Sequence, residues 1–596
     1  MIRNAAILGW TVVAGLAVAP VVLPEFYVTL LNYVGLYSLV VLGLVLLTGI
    51  GGLLSFGQAA FVGVGAYTTA FLCSAYGLSP WIGLGAGLAL TVGSSLIVGG
   101  VTMRLSGHYL PLGTMAWGIS LYYLFGSMQI MGGKTGMGDI PQIHIGWIVL
   151  DSGRKFYPLI WITVLVAVVA VSFLLESRTG RAIRSLKGGQ RMAESFGIDT
   201  AKFKLLIFVY SAVLASVSGW LYAHLLGYVN PSPFSLHMGI QYLFMAVVGG
   251  IGYVGGGVVG AGLMTLVENL LQDLLPRFIG NSGNFELLVF GVMVILLLQY
   301  VPDGAMHLLR RFLPRANEKH GEVGLVARSL VKRSKRELGE LLLEVQGVVK
   351  KFGGLVAVNN VDFNVKAGEI VGLVGPNGAG KSTMFSLITG IESLTAGRVL
   401  YDGRRIDMMQ SRVIGRLGIA RTFQHVNLLP TMTVLDNAML GAHMRGRKGV
   451  VAATLRLDRG EEDGLRAEAI HHLKRVGLGG RINELAGNLS LGEQRMVEIA
   501  RALCADPILL LLDEPAAGLR YLEKQALAKL LRELRAEGLA ILLVEHDMQL
   551  VMGLVDRLVV LDFGEKIAEG TPRHVQNDPK VHEAYLGGLE EEVEGA

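Results

Sequence analysis

Residues 375–383 read GPNGAGKST, which indicates a phosphate-binding fold for the C-terminal half of the chain. It fits the pattern G-x-x-x-x-G-K-[ST], with an apolar run, EIVGLVG, before it and a helix-like run, KSTMFSLITG, after it. Strand, glycine-rich loop and helix together predict a cradle of backbone N–H groups for phosphate, reinforced by the helix N-terminus. Lys381 would reach the β- and γ-phosphates, and Ser382 would supply a hydroxyl to Mg²⁺. The predicted nucleotide-binding residues of the loop are Gly375, Pro376, Asn377, Gly378, Ala379, Gly380, Lys381, Ser382 and Thr383.

A second apolar run, ILLLLDEP at residues 508–515, ends in two carboxylates. A buried strand would place Asp513 at its C-terminal tip, beside the phosphate loop. There Asp513 can hold Mg²⁺ directly or through water, and Glu514 can orient or deprotonate an attacking water. The alternative is an acidic strand end without chemistry.

The composition changes sharply along the chain of 596 residues, which is 52% hydrophobic and 17% charged. Residues 1–302 carry long apolar runs, whereas residues 341–596 have an ordinary soluble composition. We therefore predict an N-terminal all-α polytopic membrane domain and a C-terminal α/β ATPase domain of the phosphate-loop type. The residues between them, 303–340, are basic and predict a solvated cytoplasmic linker near anionic headgroups.

The cysteine count and the charge exclude several classes of protein. Only two cysteines occur, Cys73 and Cys504, which excludes a disulfide framework and a cysteine metal site. The formal net charge of +5 is modest, and the basic residues fall where the loops of a membrane protein would lie. Nucleic acid is therefore not an expected partner, whereas membrane lipid is.

The apolar half contains nine runs long enough to cross a bilayer. They lie near residues 5–23, 27–49, 53–75, 81–103, 109–131, 156–175, 205–227, 240–272 and 285–302. The loop from Arg178 to Lys204 is strongly basic and should be cytoplasmic. Nine spans would then leave the ATPase outside the cell. A break in the longest run, at GGIGYVGGG (residues 249–257), gives about ten segments and restores the parity. A glycine-rich helix packed closely on a neighbour is the alternative.

Three further motifs occur between and after the phosphate loop and the acidic strand end. They are RTFQ, which contains Gln424; NLSLGEQR at residues 488–495; and LLVEHD, which contains His546. As an ordered set, these motifs resemble the nucleotide-binding subunit of ABC transporters, from about Leu341 to Leu589.

The resemblance implies a role for each matched residue. Phe352 would stack on adenine, and Gln424 would touch Mg²⁺ and sense the membrane domain. His546 would contact the γ-phosphate. Ser490 and Gly492 would contact the γ-phosphate held by a facing ATPase domain, because two such domains sandwich two ATP molecules. Gln424, His546, Lys381 and Glu514 form the expected catalytic set.

Three residues depart from the common family pattern. Leu491 and Glu493 change the usual LSGGQ signature, and Arg520 stands where an aspartate is common. However, LSLGEQR, DEPAAGL and the ending GTPRHVQNDPKVHEAYLG resemble the branched-chain amino-acid import ATPases. The departures either mark that subfamily or weaken one ATP site.

The membrane half resembles the permeases of the same family, in Gly51–Leu72 and in Ser177–Ala212. Ala193, Glu194 and Gly197 match the short pattern of their coupling loops, which pass ATP-driven closure to the spans. An ordinary basic loop flanking the membrane is the alternative. Polar residues inside the spans mark either a pathway or helix packing and wetted helix ends. They are Gln58, Tyr67, Thr68, Gln241, Glu268 and Asn269.

The whole chain therefore resembles a permease fused to its ATPase, using ATP and Mg²⁺. The expected function is import of leucine, isoleucine and valine across the bacterial inner membrane. Import of urea or short amides by the same machine is the alternative. An exporter, or an ATP-regulated membrane protein without transport, fits less well. Expected partners are an external solute-binding protein and, in a hetero-complex, a second permease and a second ATPase; a homodimer is the alternative.

Overall fold

The structure is a computed structural model that describes residues 14–103, 105, 109–279, 291–292, 295–296, 299–301, 304–312, 330–334 and 336–585. The chain forms two compact units. The first contains the described residues up to Glu176 and those from Ala201 to 312, and the second contains Ser177–Thr200 with the described residues from 330 onward. The basic loop between two apolar helices therefore belongs with the ATPase half.

The first unit is built from helices, as the composition predicts. Residues 14–22 are helical. The remaining longer helices are α1 (Glu25–Leu44, continued by a π-helical stretch, Val45–Ile50), α2 (Gln58–Tyr76), α3 (Pro80–Thr102), α4 (Tyr109–Ser127), α5 (Gly153–Glu176), α8 (Thr200–Leu226), α9 (Leu236–Gly249), α10 (Val254–Ile279) and α11 (Ala305–Phe312). A two-stranded hairpin pairs β1 (Ile143–Ile145) with β2 (Ile148–Leu150), and 3₁₀ turns occupy Gln129–Met131 and Ser232–Phe234.

Six of the described helices are long and apolar enough to cross a bilayer. Most predicted spans fall on a helix within a few residues. The span predicted at 53–75 starts later, at Gln58, because the chain from Gly51 to Gly57 is irregular. The predicted spans 5–23 and 285–302 lie partly outside the described residues.

The predicted break in the longest apolar run is confirmed. Helix α9 ends at Gly249, Gly250 adopts a φ of +110°, and α10 begins at Val254. The glycines also let the two helices approach closely, since a Cβ on Gly249 would lie 1.9 Å from the carbonyl oxygen of Gly256. The helix therefore breaks as predicted and is not one continuous glycine-rich helix, and its two parts pack on each other through small residues.

The polar residues predicted inside the spans are all buried or half-buried. Gln58 is buried at the start of α2, and neither atom of its amide has a hydrogen-bond partner among the described residues. The Tyr67 ring stacks on Phe125 with centroids 4.8 Å apart. Thr68 and Asn269 donate to carbonyls one turn earlier in their own helices. Gln241 and Glu268 are half-buried.

The second unit contains a largely parallel six-stranded sheet in the order β12-β11-β5-β10-β9-β8, in which only the edge strand β12 runs antiparallel. An antiparallel four-stranded sheet has the order β4-β3-β6-β7. The strands are β3 (Leu341–Phe352), β4 (Leu355–Lys366), β5 (Ile370–Val374), β6 (Ala396–Tyr401), β7 (Arg404–Arg405), β8 (Ile419–Arg421), β9 (Leu509–Asp513), β10 (Ala540–Val544), β11 (Arg557–Asp562) and β12 (Glu565–Gly570).

Helices cover one face of the parallel sheet, and the antiparallel sheet with a further helix covers the other, which explains why its central strands are continuous apolar runs. Every residue of β5, β9 and β10 is buried. The helices of this unit are α6 (Arg178–Ser185), α7 (Gln190–Ser195), α12 (Lys381–Ile388), α13 (Ser411–Leu417), α14 (Val434–Gly441), α15 (Val450–Thr454), α16 (Arg459–Arg475), α17 (Leu491–Cys504), α18 (Tyr521–Ala536), α19 (Met548–Leu554) and α20 (Pro572–Gln576). This arrangement brings the loops after β5, β8, β9 and β10 to one edge of the sheet.

The described residues of the linker were predicted to form a solvated tether, but two of its arginines bond to the ATPase unit. Arg333 donates to the carbonyl of Asp506 at 2.7 Å and to that of Arg416 at 3.1 Å. Arg336 pairs with Asp402. The physical reason is that the last carbonyls of a helix lack partners and attract cations, and Arg333 reaches the C-terminal ends of both α13 and α17.

Replacing Gly249 with alanine should destabilise the membrane unit, because its methyl would collide with the backbone of Gly256. Overpacking of this kind costs about 1–3 kcal/mol or more. We expect a clearly lower thermal unfolding midpoint for the full chain in detergent. Gly252→Ala is the matched control, since nothing lies within 4 Å of its Cβ position. Equal midpoints for the two variants would contradict the close packing of α9 on α10.

Candidate nucleotide site

The phosphate loop joins the buried strand β5 to helix α12. Gly375 has a φ of +149°, and a Cβ there would lie 2.0 Å from the carbonyl oxygen of Leu561, so only glycine fits. Asn377, Gly378 and Ser382 are exposed, and Pro376 and Thr383 are half-exposed. The loop thus offers an open backbone at a helix N-terminus, which suits a phosphate chain.

Lys381, the first residue of α12, packs against the phosphate loop. Its side chain is buried, and Nζ donates to the carbonyl oxygens of Gly375 and Pro376, both at 2.7 Å. Burial lowers the pKa of Lys381, and the negative charges of Glu514 and Asp513 oppose that shift. The ammonium group is therefore held at the loop, close to the two carboxylates that end β9.

Asp513 is the last residue of β9 and is only 1% exposed. Its Oδ2 lies 3.3 Å from Nη2 of Arg421, whereas Oδ1 has no hydrogen-bond partner among the described residues. Burial raises the pKa of Asp513, and the Arg421 guanidinium opposes the shift. A buried carboxylate oxygen without a donor among the described residues, and an exposed serine hydroxyl on the phosphate loop, are the hard oxygen ligands that Mg²⁺ prefers. The residues present therefore fit the predicted ion.

Arg421 was missed as a functional residue, although RTFQ contains it. It ends β8, and its guanidinium lies 5.2 Å from the Phe423 ring centroid and 3.2 Å from the Thr389 hydroxyl. An arginine closing an apolar strand beside a buried aspartate is the signal that could have revealed it. Its charge keeps Asp513 in place and compensates for its burial.

Three of the predicted catalytic residues converge on one oxygen atom. Glu514 Oε1 lies 3.0 Å from Nε2 of His546 and 3.3 Å from Nε2 of Gln424. Glu514 itself adopts a φ of +49°, and its N–H donates to the carbonyl of Val544 at 2.9 Å. The three side chains come from the loops after β8, β9 and β10. Together they can fix the orientation of a carboxylate that accepts a proton from water.

Phe352 lies at the end of β3 and leaves 43% of its surface exposed. The ammonium of Lys350 lies 4.6 Å from its ring centroid. An exposed ring with a cation beside it can stack on a planar base, as predicted.

The altered signature forms a helix cap. Ser490 is the N-cap of α17, where its hydroxyl accepts the N–H of Glu493, while the Glu493 carboxylate accepts the N–H of Ser490 at 3.0 Å. Arg481 pairs with the same carboxylate at 2.7 Å. Glutamate at this position therefore completes a capping box, which accounts for its presence. Leu491 is exposed.

Arg520 and Gly492 both lie against the carboxylate of Glu523. The Arg520 N–H donates to Glu523 Oε2 at 2.7 Å, and a Cβ on Gly492 would lie 3.0 Å from that same oxygen. The Arg520 side chain is exposed. The loop after Glu514 therefore borders the start of the signature helix α17.

Ser177–Thr200, named here the coupling segment, packs on the ATPase fold through α6 and α7. Ala193 is fully buried, and Glu194 accepts hydrogen bonds from Gln190 at 2.7 Å and Thr200 at 2.8 Å, which hold the segment's own shape. A Cβ on Gly197 would lie 2.3 Å from Met444, so glycine is needed there for close contact.

Two arginines anchor the start of the coupling segment. Arg181 pairs with Glu462 at 2.7 Å and is nearly fully buried. Arg178 donates to the carbonyl of His443 at 2.7 Å and lies 3.5 Å from the Glu461 carboxylate. Basic residues that resembled a membrane-flanking loop are thus used for docking on α16.

A buried group of three charges connects the coupling segment to Gln424. Arg495, Glu498 and Arg501, named here the signature-helix triad, follow one another at intervals of three residues on α17. Glu498 lies 3.2 Å from Arg495 and 3.3 Å from Arg501, and all three are at most 6% exposed. Burial raises the pKa of Glu498, and the two arginines and the Asn427 N–H oppose the shift.

The triad contacts both the loop that carries Gln424 and the coupling segment. Arg495 donates to the carbonyls of Phe423, at 2.7 Å, and of Gln424. Arg501 donates to the carbonyl of Asn427 at 2.8 Å. On its other side the Arg501 guanidinium lies 4.9 Å from the Phe196 ring centroid. The R-x-x-E-x-x-R spacing among apolar residues was the missed signal, because such charges share a helix face.

Comparison with known proteins supports the predicted permease in the N-terminal half and the predicted ATPase in the C-terminal half. The permease component of the branched-chain amino acid transport system matches residues 26–298, the ABC transporter family matches 358–517, and the branched-chain amino acid ATP-binding cassette transporter family matches 565–591. The LivG high-affinity branched-chain amino acid transport ATP-binding protein of Escherichia coli is 42% identical over 254 residues, which is 42% of this chain and 99% of that protein.

This chain belongs to the branched-chain amino-acid family of ABC transporters. The BraF ATP-binding protein of Pseudomonas aeruginosa is similar too, at 40% identity over 41% of this chain and 98% of that protein. A solved ATP-binding cassette in its ADP conformation has 33% identity and a TM-score of 0.38, over 41% of this chain and 99% of that chain. Within the branched-chain family, this member joins a permease and an ABC ATPase that binds nucleotide and hydrolyses ATP.

Glu514→Gln should retain nucleotide binding and slow ATP hydrolysis by about 100-fold or more, because the amide cannot accept a proton from water. Phosphate release by the assembled transporter and binding of a fluorescent ATP analogue to the purified full chain would report the two effects separately. Glu533→Gln, at an exposed position on α18, is the control and should hydrolyse normally. Near-normal hydrolysis by Glu514→Gln would remove this residue from the catalytic set.

Proposed function

We propose that this chain is the combined permease and ATPase subunit of an importer for leucine, isoleucine and valine in the bacterial inner membrane. The family matches on both halves support the cargo class, and the relatives LivG and BraF are named for high-affinity transport of these amino acids. The observation that carries the proposal is the signature-helix triad, since it contacts the Gln424 loop on one side and the coupling segment on the other.

The residues of the nucleotide site divide the work of hydrolysis. Phe352 stacks on the adenine, the loop amides and Lys381 bind the phosphates, and Glu514 takes a proton from the attacking water. His546 and Gln424 hold the Glu514 carboxylate, as their shared contact with Oε1 indicates. Mg²⁺, when bound, would neutralise charge that builds up on the phosphates. Ser382, Gln424 and Asp513 are the residues that would hold it.

The coupling segment supplies the mechanical link. Any movement of the Gln424 loop acts on Arg495 and Arg501, and Arg501 contacts Phe196 and Met192 of the coupling segment. Ala193, Glu194 and Gly197 shape the segment so that it fits this surface. The segment is continuous in sequence with α5 and α8, so its displacement is passed to the membrane helices.

The proposed assembly contains a second permease and a second ATPase domain. Within this chain the Ser490 side chain bonds only to Glu493 among the described residues, which leaves the signature available to ATP bound by a facing domain. A hetero-complex is the preferred form, and a homodimer is its alternative. An external solute-binding protein would deliver the cargo. We also propose the domain limits 1–302 and 341–596, joined by residues 303–340.

Uptake of labelled leucine and labelled urea tests the proposal in cells that carry this chain and its genomic neighbours. We expect leucine uptake that disappears in Lys381→Ala, because the loop loses its phosphate-binding ammonium. Lys529→Ala, exposed on α18, should leave uptake unchanged. If Lys381→Ala abolishes urea uptake and no leucine uptake is seen, the chain is still an ATP-driven importer but the proposed cargo is wrong. If neither flux depends on Lys381, the proposed function is wrong.

A further inference from the structure

An exposed apolar segment interrupts the ATPase fold between α14 and α16. It covers residues 446–458 and contains the short helix α15. Three of its aliphatic side chains face outward, with Val451 73%, Leu455 61% and Leu457 65% exposed. Single exposed aliphatics are common on protein surfaces, but three within seven residues form a patch that indicates an interaction site.

The charged side chains exposed within residues 446–459 are all basic. Arg447, Lys448, Arg456 and Arg459 are all exposed. The single acid within residues 446–459, Asp458, is buried. The nearby carboxylate of Glu461 accepts the N–H groups of Arg447 and Lys448. The outward surface is therefore apolar and cationic together, which matches anionic phospholipid better than an acidic or a purely apolar protein surface.

The coupling segment contacts this patch through Arg178. Arg178 donates to the carbonyl of Lys448 at 2.5 Å, and a Cβ on Gly446 would lie 2.5 Å from the Arg178 side chain. Arg178 follows Glu176, the last residue of α5, by two residues, and two residues span at most about 7 Å. The polar headgroup layer is about 5–8 Å thick on each side of the hydrocarbon core. Along the chain, Arg178 therefore follows the end of α5 by no more than the thickness of a headgroup layer, and Lys448 is hydrogen-bonded to Arg178.

We propose that residues 446–458 form a lipid-contact segment that binds the anionic cytoplasmic surface of the membrane. Val451, Leu455 and Leu457 enter the boundary between headgroups and acyl chains, while the surrounding arginines and Lys448 meet lipid phosphates. The contact places the Arg178 anchor, and with it the start of the coupling segment, against a fixed surface. The inference rests on the proposed function for its membrane and for the side that the ATPase occupies.

A fluorescent label at position 455 tests the contact in the full chain. Both native cysteines are buried, so Leu455→Cys can be labelled selectively with an environment-sensitive dye. In nanodiscs of phosphatidylcholine and phosphatidylglycerol, we expect a blue-shifted emission and at least twofold quenching by lipids spin-labelled near the headgroup. Quenching should weaken when phosphatidylglycerol is omitted. Phe563→Cys, 84% exposed in the turn after β11, is the control and should show little quenching.

Equal quenching at positions 455 and 563 would overturn the proposal. So would protection of the 455 label from lipid once the partner subunits are bound, because the patch would then be a protein interface. A second test variant, Arg456→Glu in the labelled chain, should weaken quenching, because a carboxylate would repel lipid phosphates. The label reports proximity to lipid and does not report transport. If leucine uptake fails while quenching persists, the proposed cargo is wrong and the lipid contact is still supported.

Discussion

The buried Arg495–Glu498–Arg501 triad is the interaction on which the functional architecture depends. A carboxylate that is 1% exposed cannot remain charged unless cations compensate for its lost hydration. Two arginines do so, and their terminal nitrogens also donate to the carbonyls of Phe423, Gln424 and Asn427. Removing one partner of such a group costs about 3–5 kcal/mol, so the triad is a rigid connector. It fixes the loop that presents Gln424 and the surface on which the coupling segment lies.

The nucleotide site shows what strand order adds to a set of motifs. Gln424, Glu514 and His546 are separated by 90 and 32 residues in the chain, yet they share one carboxylate oxygen. They meet because β8, β9 and β10 are parallel neighbours whose carboxyl ends lie at one edge. Lys381 and Asp513 lie at that same edge, after β5 and at the end of β9. The parallel sheet therefore assembles the site, and the loops supply its chemistry.

Motifs with fixed spacing could be predicted from the sequence, whereas the partners of buried cations could not. The phosphate loop, Asp513 and Glu514 were predicted because strand, loop and helix leave a local pattern. The roles of Gln424 and His546 came only from family resemblance. Arg421, the triad and Arg333 were missed for one physical reason: a basic side chain is expected in solvent, and its burial depends on carboxylates and helix-end carbonyls that are distant in sequence. The membrane break was predictable because glycines and charge parity both required it.

If the triad transmits the state of the ATP site to the coupling segment, Phe196→Ala should uncouple hydrolysis from transport. Phe196 lies outside the nucleotide site but under the Arg501 guanidinium, and it is 2% exposed. Hydrolysis and leucine uptake would be measured together in proteoliposomes that contain the assembled transporter. We expect hydrolysis within about twofold of normal and leucine uptake reduced about tenfold or more, which corresponds to a loss of about 1.4 kcal/mol in coupling. Lys529→Ala, exposed on α18 and outside the coupling segment, should change neither rate. An unchanged ratio of leucine imported to ATP hydrolysed in Phe196→Ala would contradict the claim.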